Sequence, residues 1–137
     1  MELFIPITPV PKGRPRFSRQ GHAYTPGKTR DYEEAVQFFM RSKYRGKPLE
    51  DALAVKMFFH LPRPKSSKRR FPVCRPDIDN FQKAIMDAGN GILWKDDSQI
   101  VHIIVSKIYA PGESGIRVVV DQLPEDGRSV LESGILN

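Results

Sequence analysis

The stretch from Asp77 to Val105 reads DIDNFQKAIMDAGNGILWKDDSQIVHIIV, and its pattern changes from helical to extended near the middle. In its first half the apolar residues recur at helical spacing, at Phe81, Ala84, Ile85 and Ala88. Asn80 is a favourable N-cap for this helix. Asn90-Gly91 predicts its end, because glycine readily adopts left-handed backbone.

Strands are predicted after this helix and before it. Gln99–Ala110 predicts a long strand, and the turn Pro111–Gly115 leads from it into an antiparallel partner, Ile116–Asp121. Ala52–Leu61 predicts a further strand, because apolar residues alternate along it. Leu53, Val55, Met57 and Phe59 share one side of the Ala52–Leu61 strand, and Val101, Ile103 and Val105 share one side of the Gln99–Ala110 strand.

The N-terminal part adds a short strand, Glu2–Thr8, and a helix that begins near Thr29 or Asp31 and runs to Lys43. We therefore predict an α+β fold, a single domain in which helices pack on one face of a small mixed, largely antiparallel sheet. The domain is expected to span residues 1–121. Residues 122–137 form a polar C-terminal tail that can fray or dock weakly.

Charge is distributed unevenly over the 137 residues. Residues 1–75 hold 17 Lys and Arg against 6 Asp and Glu, whereas residues 76–137 hold 5 against 10. A basic half attracts a polyanion such as nucleic acid, and an acidic cluster can hold a divalent metal ion. The single cysteine excludes an internal disulfide framework, and no apolar run approaches the length of a membrane span. We therefore expect a cytoplasmic protein with no membrane partner.

An acidic constellation stands out in this chain. Because side chains alternate along extended backbone, Asp77 and Asp79 are expected on one face with Ile78 turned toward the core. Two adjacent carboxylates favour a hard divalent cation, Mg²⁺ or Mn²⁺. Lys83 is close enough in the helix to reach a phosphate oxygen. A second pair, Asp96-Asp97, precedes the predicted strand Gln99–Ala110. It can complete the site if that strand lies next to the first pair.

Other chemistries of paired aspartates fit less well. An EF-hand loop needs Asp or Asn and then Gly where this chain has Phe81 and Gln82. An aspartyl-phosphate hydrolase places its aspartates after an apolar strand, but the preceding residues here are FPVCRP. Cys74 has no histidine close in sequence to activate it.

The pattern as a whole resembles the RusA family of Holliday junction resolvases. The residues that carry the resemblance are RPDIDNFQK at 75–83, Asp87-Ala88, and GILWKDDSQI at 91–100. The upstream PKGRPR at 11–16 and Tyr24-Thr25-Pro26 are also similar to bacterial and phage members. The resemblance covers residues 5–120, and the block D-x-D-N-x-x-K followed by W-x-D-D is far more specific than any single pair of carboxylates.

The resemblance implies a homodimeric, Mg²⁺-dependent endonuclease that nicks four-way DNA junctions symmetrically in recombination and repair. It implies that Asp77, Asp79 and Asp97 are the essential metal-site carboxylates and that Asp96 is a lesser ligand. Lys83 matches the family's catalytic lysine, and no small-molecule cofactor is implied. Asn80 matches its adjoining asparagine, in a supporting role.

The basic segments are expected to hold DNA by its phosphates, with little dependence on sequence. The residues that we assign to this contact are Lys12, Arg14, Arg16, Arg19, Lys68, Arg69, Arg70 and Arg75. Two alternatives remain open from the sequence. One is a catalytically inactive protein that binds junctions or other nucleic acids, and the other is a nuclease that acts on other branched nucleic acids.

Overall fold

The structure, a computed structural model, describes residues 1–12, 16–17, 23–24 and 27–125. Two helices and a four-stranded sheet make up most of it, with one two-stranded ribbon near the N-terminus. In chain order the elements are β1 (Glu2–Ile5), β2 (Arg16–Phe17), β3 (Ala23–Tyr24), α1 (Gly27–Lys43), β4 (Leu53–Leu61), α2 (Ile78–Gly89), a 3₁₀ turn (Asp97–Gln99), β5 (Ile100–Tyr109) and β6 (Gly115–Gln122).

The main sheet has the order β1-β6-β4-β5. Its β1–β6 and β6–β4 pairs are antiparallel, and its β4–β5 pair is parallel. Parallel neighbours cannot be joined by a tight turn, and α2 lies in the long connection between these two strands. The predicted α+β class with a mixed, largely antiparallel sheet is confirmed.

The predicted pairing of β5 with β6 is wrong. β6 lies between β1 and β4, so the turn at 111–115 carries the chain past β4 to its other edge. The reason is that β4 is the most buried strand, fully buried at Leu53, Val55, Met57 and Phe59. Its backbone groups need partners on both edges, and β5 satisfies only one of them.

The side-chain alternation of β5 is interrupted at its start. The register with β4 shifts between Leu53 and Ala54, so that Leu53 pairs with Ile100 and Ala54 with His102. Val101 is the extra residue of this bulge and is 64% exposed. Ile103 and Val105 pack against the core, but Val101, which was predicted on the same side of the strand, does not join them.

Both helices contribute to one core on the same face of the sheet. α1 buries Tyr32, Val36 and Met40, and α2 buries Phe81 and Ile85. The ring of Phe81 stacks on that of Phe59 in β4, with 5.4 Å between the ring centroids. Trp94 follows α2 and is fully buried. The position of α2 relative to the sheet is therefore fixed by close packing of aromatic rings.

α2 begins earlier than the sequence predicted. Asp77 is its N-cap and Ile78 its first residue, so Asp79 and Asn80 lie in the first turn. The prediction that residues 77–79 are extended with Asn80 as N-cap is wrong, because the Asn80 backbone N–H donates to the Asp77 carbonyl at 3.1 Å and closes a turn there. Ile78 is half-buried and lies outside the core cluster. Gly91 adopts a φ of +79° just beyond the helix, as predicted.

Within the described ranges, no helix is long and apolar enough to cross a membrane. β6 continues to Gln122, and the backbone N–H of Leu123 donates to the carbonyl of Ala52. Most of the predicted tail, from residue 126 onward, lies outside the described residues.

Candidate active site

The predicted catalytic residues lie along α2 and just beyond its two ends. Asp79, Lys83 and Asp87 follow one another at intervals of four residues and therefore share one side of the helix. Lys83 is exposed, and Asp87 is half-buried. Asp77 is the N-cap at the N-terminal end of the helix, and Asp97 lies near its C-terminal end beside Asp87.

The N-terminal end of α2 borders a surface cavity of about 250 Å³, lined by Pro11, Lys12, Arg75, Pro76, Asp77 and Asn80. The cavity brings together four residues that the sequence analysis placed in the site, two basic and two at the start of the helix. The Asp77 side chain makes no capping hydrogen bond, so its carboxylate is available to other ligands. The positive end of the helix dipole lies at the same place and favours a bound phosphate.

At the C-terminal end, Asp97 lies in an acidic environment. Burial raises the pKa of its carboxyl above the usual range, and the neighbouring carboxylates of Asp96 and Asp87 raise it further. A hydrogen bond with the Asn90 side chain lowers the pKa of Asp97. A cation placed among these oxygens would relieve the repulsion between them.

Asp96 has a different environment from its neighbour. Its side chain caps the 3₁₀ turn, and Oδ2 accepts a hydrogen bond from the Ser98 backbone N–H at 3.0 Å. Hydrogen bonds from Ser98 lower the pKa of Asp96. The backbone N–H of Asp96 in turn donates to the Gln99 side chain at 2.8 Å, which completes a capping box. This carboxylate therefore helps to shape the turn that presents Asp97.

The two ends of this site are separated within one chain. Asp77 and Asp87 are ten residues apart, about 15 Å along a helix axis. Among the described residues, no three carboxylate, histidine or cysteine side chains form a group that could hold a metal ion. One chain therefore places Asp77 and Asp79 at the start of α2 and Asp97 beside Asp87 at its end, but it does not bring these two sets into one group.

Lys12 connects the N-terminal segment to both helices. Its Nζ lies 3.3 Å from Oδ2 of Asp87 in α2 and 3.5 Å from Oε2 of Glu33 in α1. Its backbone N–H donates to the Asn80 carbonyl at 2.9 Å. The sequence assigned no role to Asp87 or Glu33. The four-residue spacing from Asp79 and Lys83 was the only local signal that Asp87 belongs to the polar side of the helix. Nothing in the sequence connects Asp87 or Glu33 with Lys12.

The structure describes some of the remaining basic residues and not others. Lys68, Arg69, Arg70 and Arg75 are exposed in the segment between β4 and α2, as DNA contact requires. Arg16 lies in the short strand β2, and its side chain is not among those described. The predicted contacts of Arg14 and Arg19 lie outside the described residues.

Two comparisons show which known proteins this chain resembles. The model of the family described as endodeoxyribonuclease RusA matches residues 6–121, a range that includes every predicted catalytic residue. The chain is also 30% identical over 131 residues to a Bacillus subtilis (strain 168) protein named "Uncharacterized protein YqaN". That match covers 84% of this chain and 91% of the relative.

Proposed function

The chain belongs to the RusA endodeoxyribonuclease family, and from this premise we propose that it resolves four-way DNA junctions by paired, symmetric nicks that depend on a divalent metal ion. Membership supports nuclease activity on branched DNA. The observation that best supports the finer proposal is the cavity at the start of α2, where Asp77 lies with Lys12 and Arg75. Asp79 in the first turn and Lys83 one turn further on are exposed on the same helix.

The donor atoms of the site are suited to Mg²⁺, with Mn²⁺ as a substitute. Asp77, Asp79, Asp96 and Asp97 offer carboxylate oxygens, the ligands that these hard cations prefer. A bound metal ion of this kind supplies Lewis-acid activation of the phosphate and a more acidic water. Lys83 is exposed on the same side of the helix, where its ammonium can offset negative charge that develops at the scissile phosphate.

We further propose that the active form is a homodimer. A junction is resolved only when two strands are cut at symmetry-related positions, and twofold dimers supply two centres in that relation. The two ends of α2 are about 15 Å apart in one chain. A dimer in which the N-terminal end of one α2 approaches the C-terminal end of the other would bring Asp77 and Asp79 close to Asp97 of the partner subunit.

β5 is the surface that we propose for subunit contact. It is an edge strand of the sheet, and it exposes Val101 and Ile104. Exposed apolar edges favour pairing with another strand. The apolar side of α1 with Tyr32 and Val36 is buried in the chain's own core and is therefore not free for subunit contact. Ile104→Lys is expected to shift the dimer toward monomer in light scattering, while Lys56→Ala in the neighbouring strand leaves the mass unchanged.

Incubation of labelled four-way junction, flap and duplex with the protein tests the activity directly. We expect paired nicks in the junction with Mg²⁺ and none with EDTA, read on a denaturing gel. Asp77→Asn is expected to abolish cleavage and keep junction binding, because it removes a ligand charge and reduces repulsion of the phosphate. Substantial cleavage by this variant in Mg²⁺ would remove Asp77 from the site. Binding without cleavage by the unmodified protein would favour the inactive alternative.

Mixed dimers test whether each centre draws on both subunits. Asp77→Asn and Asp97→Asn are each expected to be inactive alone. If the centres are shared, a heterodimer of the two variants has one centre with both substitutions and one with neither, so single-strand nicking returns. If each centre lies within one subunit, both centres of the heterodimer carry a substitution and no nicking returns.

A further inference from the structure

An apolar surface is exposed in the middle of the basic segment before α2. Phe71 is 55% exposed and Val73 is 69% exposed, which places them among the most exposed large apolar residues described. We call Phe71–Arg75 the exposed ledge. Neither side chain joins the core cluster, although exposure of an aromatic ring and a branched side chain to water is unfavourable. Two such residues separated by only one position point to an interaction surface.

The ledge is fixed to β5 by hydrogen bonds. Lys107 Nζ donates to the carbonyl of Cys74 at 2.7 Å and to that of Pro76 at 3.0 Å. The backbone N–H of Tyr109 donates to the Arg70 carbonyl at 3.2 Å. Both ends of the ledge are thus held by the same strand. Phe71 and Val73 are therefore presented outward from an anchored backbone.

The charges around the ledge indicate which partner it fits. Arg69 and Arg70 precede the ledge and Arg75 is its last residue, and all three are exposed. The guanidinium of Arg70 lies 5.9 Å from the centroid of the Phe71 ring. A twofold contact between two copies would bring identical arginines together, which is unfavourable. A nucleic acid offers both the phosphates that pair with arginine and the base faces that stack on an aromatic ring.

The ledge reaches the proposed centre at Arg75, which lines the same cavity as Asp77. Phe71 precedes Asp77 by six residues, so the two are at most about 22 Å apart. Duplex DNA encloses its base faces, whereas a branch point can expose them. We propose that Phe71 and Val73 pack against an unstacked base at the branch point of the bound junction and thereby favour junction over duplex. This inference rests on the proposed function and names the feature of the substrate that the site recognises.

Matched variants test this proposal in the full-length protein. Phe71→Ala is expected to weaken junction binding about ten-fold, since loss of stacking on one base has an effect of this order, and to leave duplex binding within about two-fold. Phe71→Trp is expected to restore junction binding. Phe38→Ala is the control, because Phe38 is 65% exposed but lies on α1. Binding is measured in EDTA with fluorescent junction and duplex.

A cross-linking experiment locates the ledge on the DNA. Cys74 is exposed on the ledge and is the single cysteine of the chain. A junction that carries a thiol-tethered base beside the branch point is expected to form a disulfide with it several-fold faster than a junction with the tether in the middle of an arm. Equal rates at the two positions would overturn the proposal.

Two further outcomes would also overturn it. Equal losses of junction and duplex binding in Phe71→Ala would make the ledge a general DNA contact. If light scattering gave DNA-free Phe71→Ala a different mass from the unmodified protein, the ledge would be a subunit interface. The proposed function fails in a different way, through absence of junction cleavage by the unmodified protein in Mg²⁺.

Discussion

The Nζ atom of Lys12 lies 3.3 Å from Oδ2 of Asp87, and both side chains are mostly shielded, at 20% and 24% exposed. The same ammonium lies 3.5 Å from Glu33. Its charge is thus balanced by two carboxylates of the protein, one on each helix. Of the basic residues that we assign to DNA, Lys12 is the one whose side chain forms described ion pairs. Asp87 also approaches Asp97, so this ion pair borders the C-terminal end of the proposed site.

Lys12→Met is expected to lower the free energy of unfolding by about 1 kcal/mol, because it leaves Asp87 and Glu33 without their counter-charge. Urea denaturation in EDTA measures the change. The double variant with Asp87→Asn is expected to lose less free energy of unfolding than the two single variants lose in sum. Lys68→Met, which alters an exposed lysine, serves as the control. Equal stability of Lys12→Met and the unmodified protein would show that the ion pair contributes nothing.

Replacing Lys68, Arg69 and Arg70 by alanine is expected to weaken binding to junction and duplex alike. The slope of log K against log salt should fall by up to about three units per subunit, close to 0.9 for each lost phosphate contact. A matched variant replaces three exposed cations at the end of α1, Arg41, Lys43 and Arg45, and is expected to change the slope much less. The measurement is fluorescence anisotropy from low to moderate salt. An unchanged slope would mean that the three residues touch no phosphate.

Asp97→Asn is expected to stabilise the metal-free protein near neutral pH, within about 0.2–1 kcal/mol. Burial and two neighbouring carboxylates raise the pKa of Asp97 in the folded state above its unfolded value. The folded state therefore binds the proton more tightly, and the unfavourable charge exists only above the folded pKa. The advantage of the variant should vanish below the unfolded pKa, near 4. Thermal unfolding in EDTA across this pH range tests it, and an advantage that grows in acid would contradict the prediction.

Gly89→Ala is expected to destabilise the protein by about 1–3 kcal/mol through overpacking. A Cβ atom at this position would lie 2.5 Å from Cζ2 and 2.8 Å from Cε2 of Trp94. The indole cannot move aside easily, because it is fully buried and its Nε1 donates to Oδ1 of Asn90 at 3.0 Å. Gly112→Ala is the control, since a Cβ there meets nothing within 4 Å. Equal midpoints of urea unfolding for the two variants would refute the close contact.

Local patterns in the sequence determined much of this protein. The alternation in β4, the apolar face of α2 at Phe81 and Ile85, and the helix end at Gly91 follow from side-chain periodicity and glycine backbone freedom, and the structure agrees with each of them. The motif at residues 75–100 likewise identified the family without reference to any long-range contact. These features depend on neighbours within a few turns of chain, which a sequence displays directly.

The tertiary structure decided what depends on distant partners. The insertion of β6 beside β4 and the bulge that exposes Val101 arise from competition among strands for backbone hydrogen bonds, for which adjacent residues carry no signal. The same holds for the ion pair of Lys12 with Asp87, which joins residues 75 positions apart. The separation of Asp77 from Asp97 follows from the length of α2 and from where β5 begins. Residue types alone defined the chemistry of the site, and packing of the helix against the sheet set its geometry.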